Sequence, residues 1–205
     1  MAKHSQTLQL QPELQRTLDQ LAAVIGSSAT PLPWLLGGSC GLLLQGVQLE
    51  RSPRDIDLYA DGPAISGLDE QLRHSFALLD GPELNETRMY RSTLSHYQGE
   101  DCTIELVGDF EVRARESYYR VHVDRTLYMA ATMVELNGHT VRLMPLEHEL
   151  IFNLLRDRAD RYEAIAEQLR QQPERHEPLL RQLIDHNGFH PQLMQRILRL
   201  AGLQA

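Results

Sequence analysis

The sequence predicts an α+β fold: a mixed, mostly antiparallel sheet flanked by helices, followed by a C-terminal helical bundle. Three observations predict it. Short stretches with period-two apolar alternation, the clearest at 102–107, recur up to residue 145. Helical-period stretches interrupt them at 11–25 and 61–79. From residue 146 onward the apolar spacing is helical throughout.

Taken in order, residues 1–6 are expected to fray. Leu14, Leu18, Leu21, Ala22 and Ile25 define a first helix, which Gly26, Ser27 and Ser28 stop. Pro31 and Pro33 lead into a buried strand at Trp34, Leu35 and Leu36. Gly37 and Gly38 then turn the chain, and Ser39 is placed to cap a short helix over 39–45 that Gly46 ends. A polar loop at 47–54 precedes a second strand at 54–59, with Ile56 and Leu58 toward the core. Asp61-Gly62-Pro63 opens a third helix carrying Ile65, Leu68, Leu72, Phe76 and Leu79, closed by Gly81-Pro82.

Residues 88–98 alternate loosely and predict a strand, and Gly99-Glu100-Asp101 a turn. The next strand, 102–107, puts Cys102, Ile104 and Leu106 on one face and Thr103, Glu105 and Val107 on the other. Gly108-Asp109 is expected to turn, and 110–123 and 127–136 are further β-like stretches. Asn137-Gly138 predicts a two-residue hairpin. Pro145 ends the β region and divides a sheet-forming unit, 1–145, from a helical unit, 146–205, of four amphipathic helices.

Composition narrows the function classes. The 205 residues carry 28 acidic and 20 basic side chains, a net charge of −8, which disfavours a general nucleic-acid binder. It suits a cationic small substrate or a metal–nucleotide complex, and leaves room for a local basic patch. Cys40 and Cys102 sit in apolar contexts and predict small buried hydrophobes rather than a disulfide. No apolar run approaches the ~18 residues of a membrane span, and 1–14 lacks a secretory pattern, so a cytoplasmic protein is expected.

The chemistry-bearing residues lie in 34–61. Backbone N–H groups at a Gly-Gly-Ser turn opening a helix suit a phosphate. Asp55 and Asp57, at i and i+2 on a strand, share one face, where their repulsion calls for a cation such as Mg²⁺. A third acid would complete such a site. Asp101, Glu105 and Asp109 are the candidates; Glu105, mid-strand and opposite the core face, is preferred, with Asp109 the alternative.

This combination resembles the nucleotidyltransferase superfamily related to DNA polymerase β, through Gly37-Gly38-Ser39, Asp55-Ile56-Asp57 and Glu105. The likeness spans residues 30–110, and the C-terminal part only loosely. It implies an NTP donor and two Mg²⁺ ions held by Asp55, Asp57 and Glu105. Gly37, Gly38, Ser39 and Arg54 would contact the nucleotide, and pyrophosphate would leave as the monophosphate passes to a hydroxyl. C-terminal helices in such proteins help form the nucleotide pocket. Here Asn153 stands near the place of a common lysine, so Arg156 or Arg158 could substitute, or simply form a solvated face with Asp157, Asp160 and Glu163. His148 is expected to be an exposed helix histidine, and no histidines cluster in the sequence. The acceptor is expected to be a small molecule, aminoglycoside-like in charge; a tRNA or protein acceptor, and a non-catalytic nucleotide-binding module, are the alternatives.

Overall fold

The computed structural model describes residues 10–28 and 31–204, so the fraying expected at 1–6 lies outside the described residues. One helix, α1 (Pro12–Gly26), precedes β1 (Trp34–Gly37), α2 (Gly38–Leu44), β2 (Asp55–Ala60) and α3 (Gly62–Arg73). β3 (Ala77–Glu86), β4 (Tyr90–Gln98), β5 (Thr103–Ala114) and β6 (Ser117–Arg120) follow. A π-helical turn (Val123–Leu127) runs into a single helical turn, α4 (Tyr128–Ala130), before β7 (Thr132–Leu136) and β8 (His139–Leu143). The chain ends in α5 (Leu146–Leu155), α6 (Ala159–Leu169), α7 (Pro173–Asp185) and α8 (Pro191–Leu200).

The strands form one mixed sheet in the order β3-β4-β5-β2-β1-β8-β7, with β6 on the far half of β5. β2 runs parallel to β5 and β1 parallel to β8; the other pairs are antiparallel. Alternation along β2 and β5 sends side chains to two different cores. Ile56, Leu58, Ile104 and Leu106 join α1 and α3 on one side. Tyr59 and Val107 join α5 to α8 on the other. Pro145, where a boundary is expected, lies between β8 and α5, and the helices beyond it share a core with the sheet.

Several local expectations needed correction. α3 stops at Arg73, and Leu79 lies exposed on β3 instead of on a helix. β3 is an edge strand, and an edge accommodates Gly81-Pro82 at a register shift instead of being broken by it. Gly108-Asp109 does not turn the chain either. β5 continues to Ala114, and Asp109, with φ of 49°, sits at an irregularity in the β4–β5 register. Its Oδ1 accepts a 2.9 Å hydrogen bond from the Gly62 N–H at the start of α3. Asn137-Gly138 does form the hairpin between β7 and β8, with both φ values positive as the turn requires. Cys40 and Cys102 are buried and free, as expected. Among the described residues no helix is long and apolar enough to cross a membrane.

α5 is the largest departure from the sequence pattern. An amphipathic helix is expected; all ten residues are buried, Glu147, His148, Glu149 and Asn153 included. The helix lies between the sheet and the outer helices, so both its faces meet protein. His148 is fully buried, not exposed. Its ring stacks on Phe152, its Nδ1 meets the Tyr119 hydroxyl at 2.8 Å, and burial holds its pKa down to about 3. The imidazole is therefore neutral and acts as a packing group.

Gly108 marks where α3 meets the sheet: a Cβ there would fall 2.1 Å from Ile65 Cδ1. Gly108→Ala should destabilise the protein by about 1–3 kcal/mol in urea unfolding. In an Ile65→Ala background the same change should cost less than half as much, because the clashing atoms are gone. Equal costs in both backgrounds would refute this account of the contact.

Candidate active site

β1 ends and α2 begins at the Gly-Gly-Ser turn. Gly37 is the N-terminal flanking residue of α2, and Ser39 lies inside its first turn without a side-chain capping bond, so the expected Ser39 cap does not form. Gly38 has φ of +57°, a conformation glycine adopts without penalty. It is bare for a second reason: an added Cβ would lie on top of Asp57, 1.7 Å from Oδ2. Because Gly37 pairs with Asp57 across β1 and β2, the turn and the carboxylates are brought together by strand register. The Cys40 thiol, donating to the Asp55 carbonyl at 3.2 Å, fastens α2 to the same place.

The parallel register of β2 and β5 sets Asp57 directly beside Glu105. The pairing continues outward, Glu105 to His96 on β4 and His96 to Asp80 on β3. Four titratable residues thus form one row across four adjacent strands. The His96 ring meets Asp80 Oδ1 at 2.5 Å through Nδ1, and its Nε2 stands 3.8 Å from Glu105 Oε1. Asp55 lies on the same face as Asp57, two residues earlier. Asp109 faces a different hollow, with Asp61 and Asp124, and takes no part.

Asp55, Asp57 and Glu105 of this face line a cavity of about 480 Å³. Its walls include Gly38, Ser39, Asp55, Asp57 and Glu105 on the sheet side. Arg51 and Arg54, from the loop before β2, line it too. Across from them come Arg156, Arg158 and Arg161, between the end of α5 and the start of α6. Tyr59, Tyr90, Phe110 and Phe152 add an aromatic wall, with Phe110 and Phe152 edge-to-face at 5.3 Å between ring centres. Of the expected residues, Gly38, Ser39, Arg54, Asp55, Asp57 and Glu105 all line this cavity; Gly37 lies behind, packed on Tyr59.

Residues that sequence reasoning missed complete the site. Glu149 on α5 is almost wholly buried, and its Oε1 accepts the Gly38 N–H at 2.9 Å. That amide, expected to meet a phosphate, is therefore already engaged. Asn153, one turn on, donates to Glu149 Oε2 at 3.2 Å and accepts from Arg156 at 2.7 Å. The Arg156 guanidinium also lies 4.3 Å over the Phe152 ring. Asn153 thus orients an arginine toward the cavity where the sequence lacks a lysine. Arg156 and Arg158 were open between this role and a solvated face. Both line the cavity, with Arg158 also paired to Asp160 at 2.7 Å. Arg161 lines it as well, with nothing in the sequence that sets it apart. His96 and Asp80 escaped notice because histidines scattered in sequence converge only through strand pairing; β-alternation over 90–98 was the available signal.

The electrostatics are strained. Enclosure by protein, then the charges of Asp55, Glu105 and Glu149, push the Asp57 carboxyl well above its usual range, and only Arg156 counters them. Burial raises Glu149 to about 7, against the hydrogen bond from Gly38 and the charges of Arg156 and Arg161. Glu105 is also raised, chiefly by burial. Carboxylate oxygens are the donors a hard divalent cation takes, and crowded, partly desolvated carboxylates are relieved by one. Among the described residues no three His, Cys, Asp or Glu side chains are gathered closely enough to hold an ion as they stand. The fit to Mg²⁺ thus rests on donor type and charge.

No protein-family model matches the chain, and no curated protein sequence matches it. Solved structures do. TM1012 from Thermotoga maritima, classed as a nucleotidyltransferase, superposes with a TM-score of 0.61 at 19% identity, over 80% of this chain and 97% of that one. ANT(2″)-Ia in complex with adenylyl-2″-tobramycin gives 0.50 at 13% identity, over 83% and 97%. Its solution structure gives 0.50 at 14%, over 83% and 93%. The chain has the nucleotidyltransferase fold.

A buried acid whose pKa is raised on folding favours the folded state only while protonated. Its contribution falls as pH climbs from the unfolded value toward the folded one. For Glu149 that window runs from 4.5 to about 7, and Asp57 and Glu105 shift in the same direction. Without divalent cations, stability in urea should therefore drop between pH 5 and pH 8, by up to ~3 kcal/mol from Glu149. Glu149→Gln should flatten the dependence. Stability that rises over this range would contradict the assignment.

Proposed function

We propose that this chain is an enzyme that transfers a nucleoside monophosphate from an NTP to a hydroxyl, with release of pyrophosphate. The reading is carried by one observation: Asp55, Asp57 and Glu105 share one cavity face at the Gly38–Ser39 turn, opposite a group of arginines, within a nucleotidyltransferase fold. Asp55, Asp57 and Glu105 would hold Mg²⁺, which when bound supplies charge neutralisation at the phosphates. Ser39 and the arginines from Arg51 to Arg161 are the groups left to receive the triphosphate, since Glu149 already occupies the Gly38 amide.

In the reaction the acceptor oxygen attacks the α-phosphorus and a new P–O bond forms. The bond from the α-phosphorus to the bridging oxygen breaks, and pyrophosphate leaves with that electron pair. The hydroxyl proton passes to a carboxylate of the row or to water. The chain's own contribution is position and charge: the register of β1, β2 and β5 presets the carboxylates, and α5 sets the arginines across from them. The aromatic wall offers a stacking face to a base, with no side-chain pattern that selects among bases. An aminoglycoside-like acceptor, which the net charge of −8 suits, would meet a cavity that carries Asp55, Asp57 and Glu105 beside the arginines assigned to the triphosphate.

Incubation with each labelled NTP, Mg²⁺ and pools of hydroxyl acceptors should yield covalent label and pyrophosphate. Asp57→Asn should lower turnover by roughly 10²-fold or more while raising thermal stability in the absence of metal, since a crowded carboxylate is removed. Full activity in Asp57→Asn would sink the proposal.

A further inference from the structure

The carboxylate row continues past Glu105 to two residues that the proposed transfer does not use. His96 on β4 lies beside Glu105, and Asp80 on the edge strand β3 lies beside His96. Neither His96 nor Asp80 lines the cavity. The sheet itself singles Asp80 out: the β3–β4 register shifts on both sides of it. Irregularities of this kind re-aim a side chain. Asp80 Oδ1 meets His96 Nδ1 at 2.5 Å. A carboxylate oxygen accepts, so Nδ1 carries the proton and donates it. The ring then turns Nε2 toward Glu105.

The gap between Nε2 and Glu105 sets this histidine apart. At 3.8 Å from Oε1 it is too long for a hydrogen bond. A charged donor free to close on a carboxylate would do so at about 2.7–2.9 Å. A transition cation such as Zn²⁺ takes imidazole nitrogen and carboxylate oxygen at about 2.0–2.2 Å each. Nε2 and Oε1 thus stand at the separation of two ligands on one ion. A carboxylate on the far ring nitrogen is also what a metal-bound imidazole has behind it, because it fixes the ring and raises its basicity. Adjacent strands lie about 4.8 Å apart, so a point between β4 and β5 is about 7 Å from the line of β2, which carries Asp55 and Asp57. An ion there is additional to one held by the Asp55–Asp57 pair.

We propose that His96 and Glu105, with Asp80 behind the imidazole, bind a first-row transition cation such as Zn²⁺ or Co²⁺. Imidazole nitrogen suits these ions, whereas Mg²⁺ takes oxygen. Among the described residues no third His, Cys, Asp or Glu completes the set as it stands. Water fills the other positions, and the site is open and exchangeable. The side chains of His96 and Glu105 are both partly open to solvent, which gives the ion its way in. The binding does not rest on the nucleotidyl-transfer reading.

Co²⁺ titrated into the whole chain without nucleotide tests it, read by visible absorption and by proton NMR. A saturable site should appear that Zn²⁺ displaces and a large excess of Mg²⁺ does not. The bound ion should shift one exchangeable imidazole proton, the Nδ1–H held by Asp80, far outside the diamagnetic range. His96→Ala should weaken binding about tenfold or more and erase that signal. Asp80→Asn should weaken binding about tenfold and speed exchange of the proton. His186→Ala, exposed just past α7, should change neither. Thermal unfolding and Mg²⁺–NTP binding are measured on the same variants and on Asp57→Asn. A Co²⁺ site that persists in Asp57→Asn while NTP binding is lost supports the site separately from the donor site. No saturable Co²⁺ binding, ready displacement by Mg²⁺, or folded His96→Ala protein that binds Co²⁺ as wild type would each overturn it.

Discussion

Everything in this site follows from crowding negative charge onto one side of two parallel strands. Asp57 sits beside Glu105 because β2 and β5 run in parallel register, and beside Asp55 because side chains repeat every two residues. Glu149 approaches the same place from α5. The rest of the architecture serves this arrangement. Gly38 must lack a side chain for Asp57 to fit, α5 must be buried for Glu149 to reach the turn, and arginines must face the acids across the cavity. Such a cluster costs stability in isolation, which is a reason to expect a ligand charge to complete it.

α5 ties the sheet to the C-terminal helices and connects the two halves of the site. Its middle carries Glu149 to the Gly38 amide; its end carries Phe152 and, through Asn153, Arg156 to the cavity. The buried, neutral His148 fixes the helix against Tyr119 of β6. Helix and turn cannot shift independently without giving up the Glu149–Gly38 hydrogen bond, so a movement of α5 on binding nucleotide would be felt at both walls of the cavity.

What was legible in the sequence was local. Alternation alone puts Asp55 and Asp57 on one face of their strand and Glu105 opposite the core side of another, the resemblance joins the three, and Asn137-Gly138 announced its hairpin. What was not legible depends on packing between distant segments. Nothing near Glu149 or His148 in the chain reports that α5 is covered on both faces, so their polarity suggested exposure. Leu79 and Gly81-Pro82 followed helix and breaker rules that an edge strand overrides. Arg161 reaches the cavity only through the α5–α6 connection, and His96 comes beside Glu105 only through the β4–β5 pairing. Net charge, a sum over the chain, likewise does not report that five arginines gather around one cavity.

In the proposed function the carboxylate face takes a divalent cation together with a nucleoside triphosphate. Anomalous diffraction from crystals grown with Mn²⁺ and a non-hydrolysable NTP tests it most directly. A manganese peak is expected at Asp55 and Asp57, with the triphosphate between Ser39 and the arginines of the α5–α6 connection. A triphosphate bound elsewhere, or manganese absent from Asp55 and Asp57 while the nucleotide is present, would contradict it.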